Sequence, residues 1–225
     1  MEEKYYKAYD KRYKQLHEKD LSWENDVQTE IIEQIIKEYN ISKNDNILEI
    51  GCGEGRDSKF LLNKGYNLLA TDVSHEAINY CKRIDKNYSN NYDVLDVLDC
   101  NTFKDKFNFI YSIACLHMLV LDDDRKKYFD FIHNHLKDNG YALVLTMGDG
   151  LKESSSDINK AWEDTERIHQ KTNEIINVAT TSCRIVNFET LEKEIKNSNL
   201  VVIEKGITQI IPNFQEIMYV LMKLK

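Results

Sequence analysis

The residues able to do chemistry concentrate in one stretch. Glu49-Ile50-Gly51-Cys52-Gly53-Glu54-Gly55 sets three glycines at alternate positions, with one carboxylate before them and another among them. Glycine lets a backbone turn sharply and lets a ligand approach it closely. A helix starting behind such a turn presents free N–H groups. The spacing is GxGxG, whereas a dinucleotide fold usually needs GxGxxG. Carboxylates beside a pyrophosphate would repel it, so Glu49 and Glu54 suit a ligand with a positive end.

Three more features stand where apolar runs stop: Asp72, Asp96 and Ser112-Ile113. An acid ending a second strand can accept hydrogen bonds from ribose hydroxyls. An acid ending a third can accept from an exocyclic amine; Asp93 and Asp99 are rivals to Asp96 for that place. Any one of these aspartates could equally cap a helix or make a turn. Four such features at successive strand ends argue for a site.

Other reactive residues say less. His117 follows the fourth expected strand and could act as a general base, since imidazole titrates near neutrality, or simply pack. Cys52 and Cys115 fall close to the expected site, but nothing supplies a base for them, so they read as small apolar fillers. His133 and His135 lie two apart on an expected helix and cannot share a metal. Without an HxxxH pattern or a cysteine cluster, no metal site is expected.

The elements that must position these residues alternate. Strands are expected over 46–50, 67–73, 92–96, 107–113 and 141–147, and helices over 56–64, 75–87 and 122–138, with Ser74 and Gly65 as caps. Strands alternating with helices imply a doubly wound, mostly parallel sheet of the α/β class. A helix over 188–197 is followed by two strands joined at Pro212-Asn213, an antiparallel pair at the sheet's edge. Before the first strand, Ser22 can cap a helix whose apolar stripe includes Val27, Ile31, Ile32, Ile35 and Ile36. Still earlier, Tyr5, Tyr9 and Tyr13 share one helical face, which either packs on the core or covers a ligand. Residues 149–182 break the rhythm; a helix is expected over 157–176, with Trp162, Ile168 and Ile175 as inward anchors. The length fits one domain, 1–225, with a helical N-terminal cover over 1–40 and an inserted segment over 149–182.

The chain has 225 residues, 42% of them apolar, and a net charge of −8. The acidic balance, concentrated in 149–182, disfavours nucleic acid and favours a neutral or cationic small partner. Five cysteines without a CxxC pair read as reduced thiols in the cytoplasm. No apolar run reaches membrane length and the first twenty residues are crowded with charge, so neither a membrane span nor a leader is expected.

The pieces ILEIGCGEG, LLATDVS, YDVLDVLD and FNFIYSIACLHML together resemble the class I S-adenosylmethionine-dependent methyltransferases, over roughly 45–148. The run GEGRDSKFLLNKGYNLLATDVS is similar to small bacterial enzymes of the tellurite-resistance and thiopurine type. The resemblance implies a seven-stranded Rossmann-like sheet with an antiparallel edge strand, and S-adenosylmethionine as cofactor. It implies that Glu49, Gly51, Cys52 and Gly53 line the methionine part of the cofactor, that Asp72 and Val73 hold ribose and adenine, and that Asp96 and Val97 meet the adenine amine. Ser112 and Ile113 would offer backbone groups to the methionine end, though many relatives carry a polar residue where Ile113 stands. Tyr13, Trp23 and His117 are the expected contacts of a small-molecule acceptor. Two rivals remain: a nicotinamide-dependent oxidoreductase and a non-catalytic protein that binds the same cofactor.

Overall fold

The computed structural model describes residues 4–23, 27–100, 102–169, 171–210 and 216–225. In chain order, α1 (Ala8–His17) and α2 (Glu30–Glu38) precede β1 (Ile47–Ile50). Then α3 (Arg56–Asn63), β2 (Leu68–Asp72), α4 (His75–Ile84), β3 (Tyr92–Val94), β4 (Phe107–Ile113), α5 (Asp122–His135) and β5 (Leu136–Met147) follow. Short strands β6 (Ser154–Ser155), β7 (Asp164–Ile168), β8 (Ile175–Ala179) and β9 (Arg184–Ile185) come next. The described chain closes with α6 (Phe188–Asn197), β10 (Leu200–Gln209) and β11 (Glu216–Leu224).

Seven strands form the main sheet in the order β10-β11-β5-β4-β1-β2-β3. β1 is flanked by β2 and β4, both parallel to it, and the direction of winding reverses there. A crevice outside the carboxyl ends of the strands follows from that reversal. β11 runs antiparallel to both β5 and β10, so the antiparallel strand sits one place in from the edge. The Pro212-Asn213 turn lies outside the described residues.

Alternation along β1 sends Leu48 and Ile50 to one apolar layer and Ile47 to the other. The first layer holds the inner faces of α5 and α6, and the second holds those of α2, α3 and α4. Local chemistry starts the helices. Ser74 Oγ accepts from Ala77 N at 3.1 Å, and Asn187 Oδ1 from Thr190 N at 2.8 Å. Asp122, Asp123 and Asp124 open α5, where the helix dipole favours them.

Several elements differ from expectation. α2 starts after Thr29, not near Ser22, because Thr29 is held by Asp57 of α3: its N and Oγ1 donate to that carboxylate at 2.7 and 3.0 Å. Val27 is consequently outside the helix and exposed. α5 stops at His135, and β5 runs back through Asn139-Gly140 with a register shift opposite Phe107 and Phe109. At Gly140 a Cβ would stand 2.9 Å from Asn108 O, so close backbone approach uses that glycine in a strand.

The expected helix over 157–176 is instead a β-hairpin, β7 paired with β8. Period-two alternation decides it: Ile176 and Val178 are buried beneath Leu16 of α1, while Ile168 and Ile175 point outward. Trp162 packs against the first core layer, but Ile168 and Ile175 are not anchors. Among the described residues no helix is long and apolar enough to cross a membrane.

Arg125 is fully buried between α5 and α6. Its Nε and Nη2 donate to Glu194 at 2.8 and 2.7 Å, and its Nη1 donates to Leu116 O at 3.1 Å. Removing one partner of such a pair strands the other without its counter-charge. Arg125→Ala is therefore expected to lower unfolding free energy by about 3–5 kcal/mol in urea titration, and a joint Arg125→Met, Glu194→Leu replacement to lower it less. Equal losses would mean that the pair's charges matter little.

Candidate functional site

The strand ends enclose a cavity of about 370 Å³. Its floor is the glycine turn, which lies between β1 and α3. Gly51 and Gly53 have φ of +75° and +55°, in the left-handed region where a side chain is strained. A Cβ on Gly51 would meet Cys115 Sγ at 2.7 Å, and one on Gly53 would meet the Tyr13 hydroxyl at 2.7 Å. The turn is tied to the next strand: Gly51 N and Cys52 N donate to Thr71 O at 2.8 and 2.9 Å. Gly53 N donates to Asp72 Oδ2 at 2.9 Å, and Ser74 N to Asp72 Oδ1 at 2.8 Å. Burial raises the Asp72 pKa, and those backbone donors partly offset it.

Glu49 accepts from the Ser58 hydroxyl and, at 2.8 Å, from the Tyr111 hydroxyl. Burial, reinforced by the Asp57 charge, pushes its pKa up to about 8. Glu54 is also buried; one oxygen takes His17 Nε2 at 2.8 Å, and Oε2 has no partner among the described residues. His17 Nδ1 lies 2.8 Å from Glu76, and its ring stacks on Tyr80 with centroids 4.5 Å apart. Burial lowers the His17 pKa, but hydrogen bonds to the two carboxylates outweigh it, and the net direction is upward.

The N-terminal segment forms the roof. Tyr6, Tyr9, Arg12 and Tyr13 line the cavity, so the tyrosine face covers it and also packs. The segment is fastened at several points. Tyr5 Oη donates to Asp124 at 2.8 Å and Tyr6 Oη to Asp96 at 3.0 Å, while Lys7 pairs with Asp96 at 3.0 Å. Asp10 accepts from Ser74 Oγ at 2.7 Å and from Glu76 N at 2.9 Å, reaching the start of α4. On its other side α1 meets the β7–β8 hairpin, where Gln15 Oε1 accepts from Ala179 N at 2.7 Å.

Of the residues singled out in the sequence, Glu49, Gly51, Cys52, Gly53, Asp72, Val73, Asp96, Val97 and Ile113 line the cavity, as do Tyr13 and Trp23. The Cys52 thiol packs with Cys81, whose Sγ lies 3.3 Å from Gly53 O. Two residues fall elsewhere. Ser112 is inside the sheet, paired opposite Val144, and the cavity wall past Ile113 is Ala114 and Cys115. Ala114 holds φ +54°, a backbone rarely taken by a side chain with a Cβ. His117 is buried outside the cavity lining, and burial with the nearby Arg125 cation pulls its pKa down to about 4. Arg56 pairs with Asp57 at 2.6 Å. Among the described residues no group of three or more His, Cys, Asp or Glu is placed to hold a metal.

Sequence reasoning placed Tyr9 on the aromatic face that could cover a ligand, but missed Tyr6 and Arg12. The available signal was Arg12 itself, a charge within the stripe formed by Tyr9, Tyr13 and Leu16.

Residues 23–205 match a family described as a methyltransferase domain. An uncharacterized methyltransferase of Schizosaccharomyces pombe is 33% identical over 127 residues, which are 55% of this chain and 83% of that protein. In fold the chain is similar to an S-adenosylmethionine-dependent methyltransferase from Clostridium acetobutylicum, with TM-score 0.65, 20% identity and coverage of 94% and 96% of the two chains. It is also similar to the 1,6-didemethyltoxoflavin-N1-methyltransferase of Burkholderia thailandensis, solved with 1,6-didemethyltoxoflavin and S-adenosylhomocysteine, with TM-score 0.71, 13% identity and coverage of 100% and 92%.

Glu49 makes stability depend on pH. Its pKa rises from 4.5 to about 8 on folding, so between those values the folded chain keeps a proton that the unfolded chain releases. Its contribution to stability therefore falls as pH rises through that window. In Glu49→Gln the titration is gone. Its stability relative to the parent is expected to climb by up to about 1.4 kcal/mol per pH unit when unliganded protein is denatured at values from about pH 5 to pH 8. A constant difference would show that Glu49 titrates normally.

Proposed function

The chain belongs to the methyltransferase domain family and is a methyltransferase; we propose that it takes its methyl group from S-adenosylmethionine and passes it to a small molecule held in the cavity. The observation that carries this reading is the carboxylate-rimmed glycine turn. A Cβ at Gly51 or Gly53 would collide with Cys115 or with the Tyr13 hydroxyl, so only glycine lets those side chains close on the turn, and the turn itself lines the cavity. Asp72 and Asp96 also stand along the lining, beside Glu49, whose buried carboxyl a cationic ligand would draw to its charged form. That set suits a ligand bearing a sulfonium and an ammonium, and it opposes the pyrophosphate of a nicotinamide dinucleotide.

When bound, S-adenosylmethionine supplies a methyl group on positively charged sulfur. In this reading Glu49, Gly51, Cys52 and Gly53 hold the methionine part, together with the wall at Ile113 and Ala114. Asp72 is already fixed by two backbone donors and turns its remaining lone pairs to the ribose hydroxyls. Val73 and Val97 sandwich the adenine beside Asp96.

The reading treats the chain as one domain, with the N-terminal segment as a cover and 149–182 as the acceptor side. Tyr13 and Trp23 face the acceptor. Their task is alignment, since holding a nucleophile in line with the methyl removes much of the entropic barrier. No role as base is given to His117. The cover roofs the cavity, and the hairpin beside it carries exposed acids such as Glu166 and Glu174. That combination favours a small molecule over a nucleic acid.

Calorimetric titration tests the cofactor. The parent is expected to bind S-adenosylhomocysteine and not NAD. Asp72→Asn is expected to bind S-adenosylhomocysteine about 10- to 100-fold more weakly, the worth of charged hydrogen bonds, or about 1.5–3 kcal/mol. Parental affinity in a folded Asp72→Asn would remove Asp72 from the ribose.

A further inference from the structure

The last turn of α1 is joined to the cavity floor by an imidazole set between two carboxylates. His17 Nε2 lies 2.8 Å from Glu54 of the glycine turn, and Nδ1 lies 2.8 Å from Glu76 in the first turn of α4. A neutral imidazole carries one N–H and one lone pair. It can donate to one of these carboxylates, and its lone pair then faces an oxygen of the other. Both contacts are hydrogen bonds when the three groups hold one further proton, as in an imidazolium that donates at both ends. The His17 side chain is 5% exposed and that of Glu54 2%, so water is largely kept from this end of the bridge. Among the described residues neither carboxylate has another cation within ion-pair distance, and Glu54 Oε2 has no hydrogen-bond partner.

The groups packed around the ring favour the proton. Tyr80 of α4 stacks on it at 4.5 Å, and Tyr13 of α1 stands at 6.1 Å. Arg83 of α4 is held over the Tyr80 ring, 5.3 Å from its centroid. Asp10 of α1 accepts from Glu76 N at 2.9 Å and adds negative charge to the same corner, and Asp72 faces Tyr13 beside Glu54. Burial works against the imidazolium, yet the hydrogen bonds to Glu54 and Glu76 hold the His17 pKa above its ordinary 6.5. With α1 lifted, the ring meets water and returns to that ordinary value. A group whose pKa is higher in the closed form favours closure fully below the open-form value, and that contribution is lost as pH rises through the closed-form value. Loss of the proton leaves the buried Glu54 carboxylate without its counter-charge.

We propose that the N-terminal cover is latched over the cavity by a proton held between His17, Glu54 and Glu76, so that pH sets how readily a ligand enters and leaves. The latch acts at the cavity itself, because Glu54 is part of its lining. The cover's other fastenings run from Tyr6 and Lys7 to Asp96 and from Arg12 and Gln15 to the end of β8. Release of the proton therefore loosens the last turns of α1 and leaves the rest of the chain folded. The latch stands whatever the ligand is; the ligand used to test it rests on the S-adenosylmethionine reading above.

The test is hydrogen exchange of the α1 amides in the unliganded full chain from about pH 6 to pH 9, corrected for intrinsic rates and compared between the parent and Glu76→Gln. A glutamine amide donates to Nδ1 while Nε2–H donates to Glu54, so this variant is latched without the extra proton. Parental protection of α1 is expected to fall relative to the variant as pH rises, by about tenfold for each unit by which closure raises the His17 pKa. Glu49 titrates in the same window but is present in both proteins, so it cancels in the comparison. His17→Gln, which cannot take up the proton, is expected to follow the pH profile of Glu76→Gln at lower protection, and it serves the same comparison if Glu76→Gln does not fold. Stopped-flow release of S-adenosylhomocysteine reads the ligand's passage, and the ratio of parental to variant release rate is expected to rise with pH. The proposal is overturned if the ratio of α1 protection between parent and variant is constant across the range, or if the ratio of release rates is. A parent that binds no S-adenosylhomocysteine overturns the cofactor reading, and the exchange comparison then decides the latch by itself.

Discussion

Gly51 N and Cys52 N donate to Thr71 O, and Gly53 N donates to Asp72, so the turn after β1 hangs from the end of β2. A turn with three glycines at positive φ would otherwise be among the least ordered parts of a chain. Here its N–H groups are satisfied by a strand fixed in the centre of the sheet, and its shape is set by that strand. The same Asp72 carboxylate takes Ser74 N, so the starts of α3 and α4 are placed together. The cavity floor is therefore rigid because the sheet is rigid.

The roof is built differently. The N-terminal segment joins no sheet; it is held by side chains reaching from it to several elements, β8 among them. Asp10 and His17 grip the start of α4 and the glycine turn, Tyr6 and Lys7 grip Asp96, and Arg12 and Gln15 grip the end of β8. Several of these bonds end on residues that also line the cavity. Glu54 and Asp96 are shared between roof and floor, so what binds beneath the roof competes with it or completes it. Elements held by such contacts open more readily than core strands, which suits a cover through which a ligand must pass.

The parts of the fold legible in the sequence were those decided by near neighbours. The glycine turn, the aspartate closing β2, the Ser74 cap and the apolar run of β4 each follow from residues a few positions apart. The failures share a cause in distant partners. α2 begins where Asp57, far along the chain, reaches Thr29. The segment expected as a helix over 157–176 is a hairpin because Leu16 of α1 offers a surface for Ile176 and Val178. His117 was read as a cavity residue from its place after β4. In the 3₁₀ turn that carries it, Leu116–Met118, Met118 lines the cavity while His117 is buried near Arg125. Arg12 stayed hidden because the carbonyls that aim it are supplied by the hairpin.

Charge in this protein works at two ranges. The whole chain is acidic, with a net charge of −8, and its long-range field turns polyanions away. Inside the cavity the acids are held in place: Asp72 by backbone donors, Asp96 by Tyr6 and Lys7, and Glu49 by two hydroxyls with its pKa raised by burial and the Asp57 charge. Held in this way they fix where acid groups stand along the cavity, while Arg12 is held by the carbonyls of Ala179 and Thr180. The outer field therefore selects against large anions, while the inner wall sets fixed groups at defined places around the cavity.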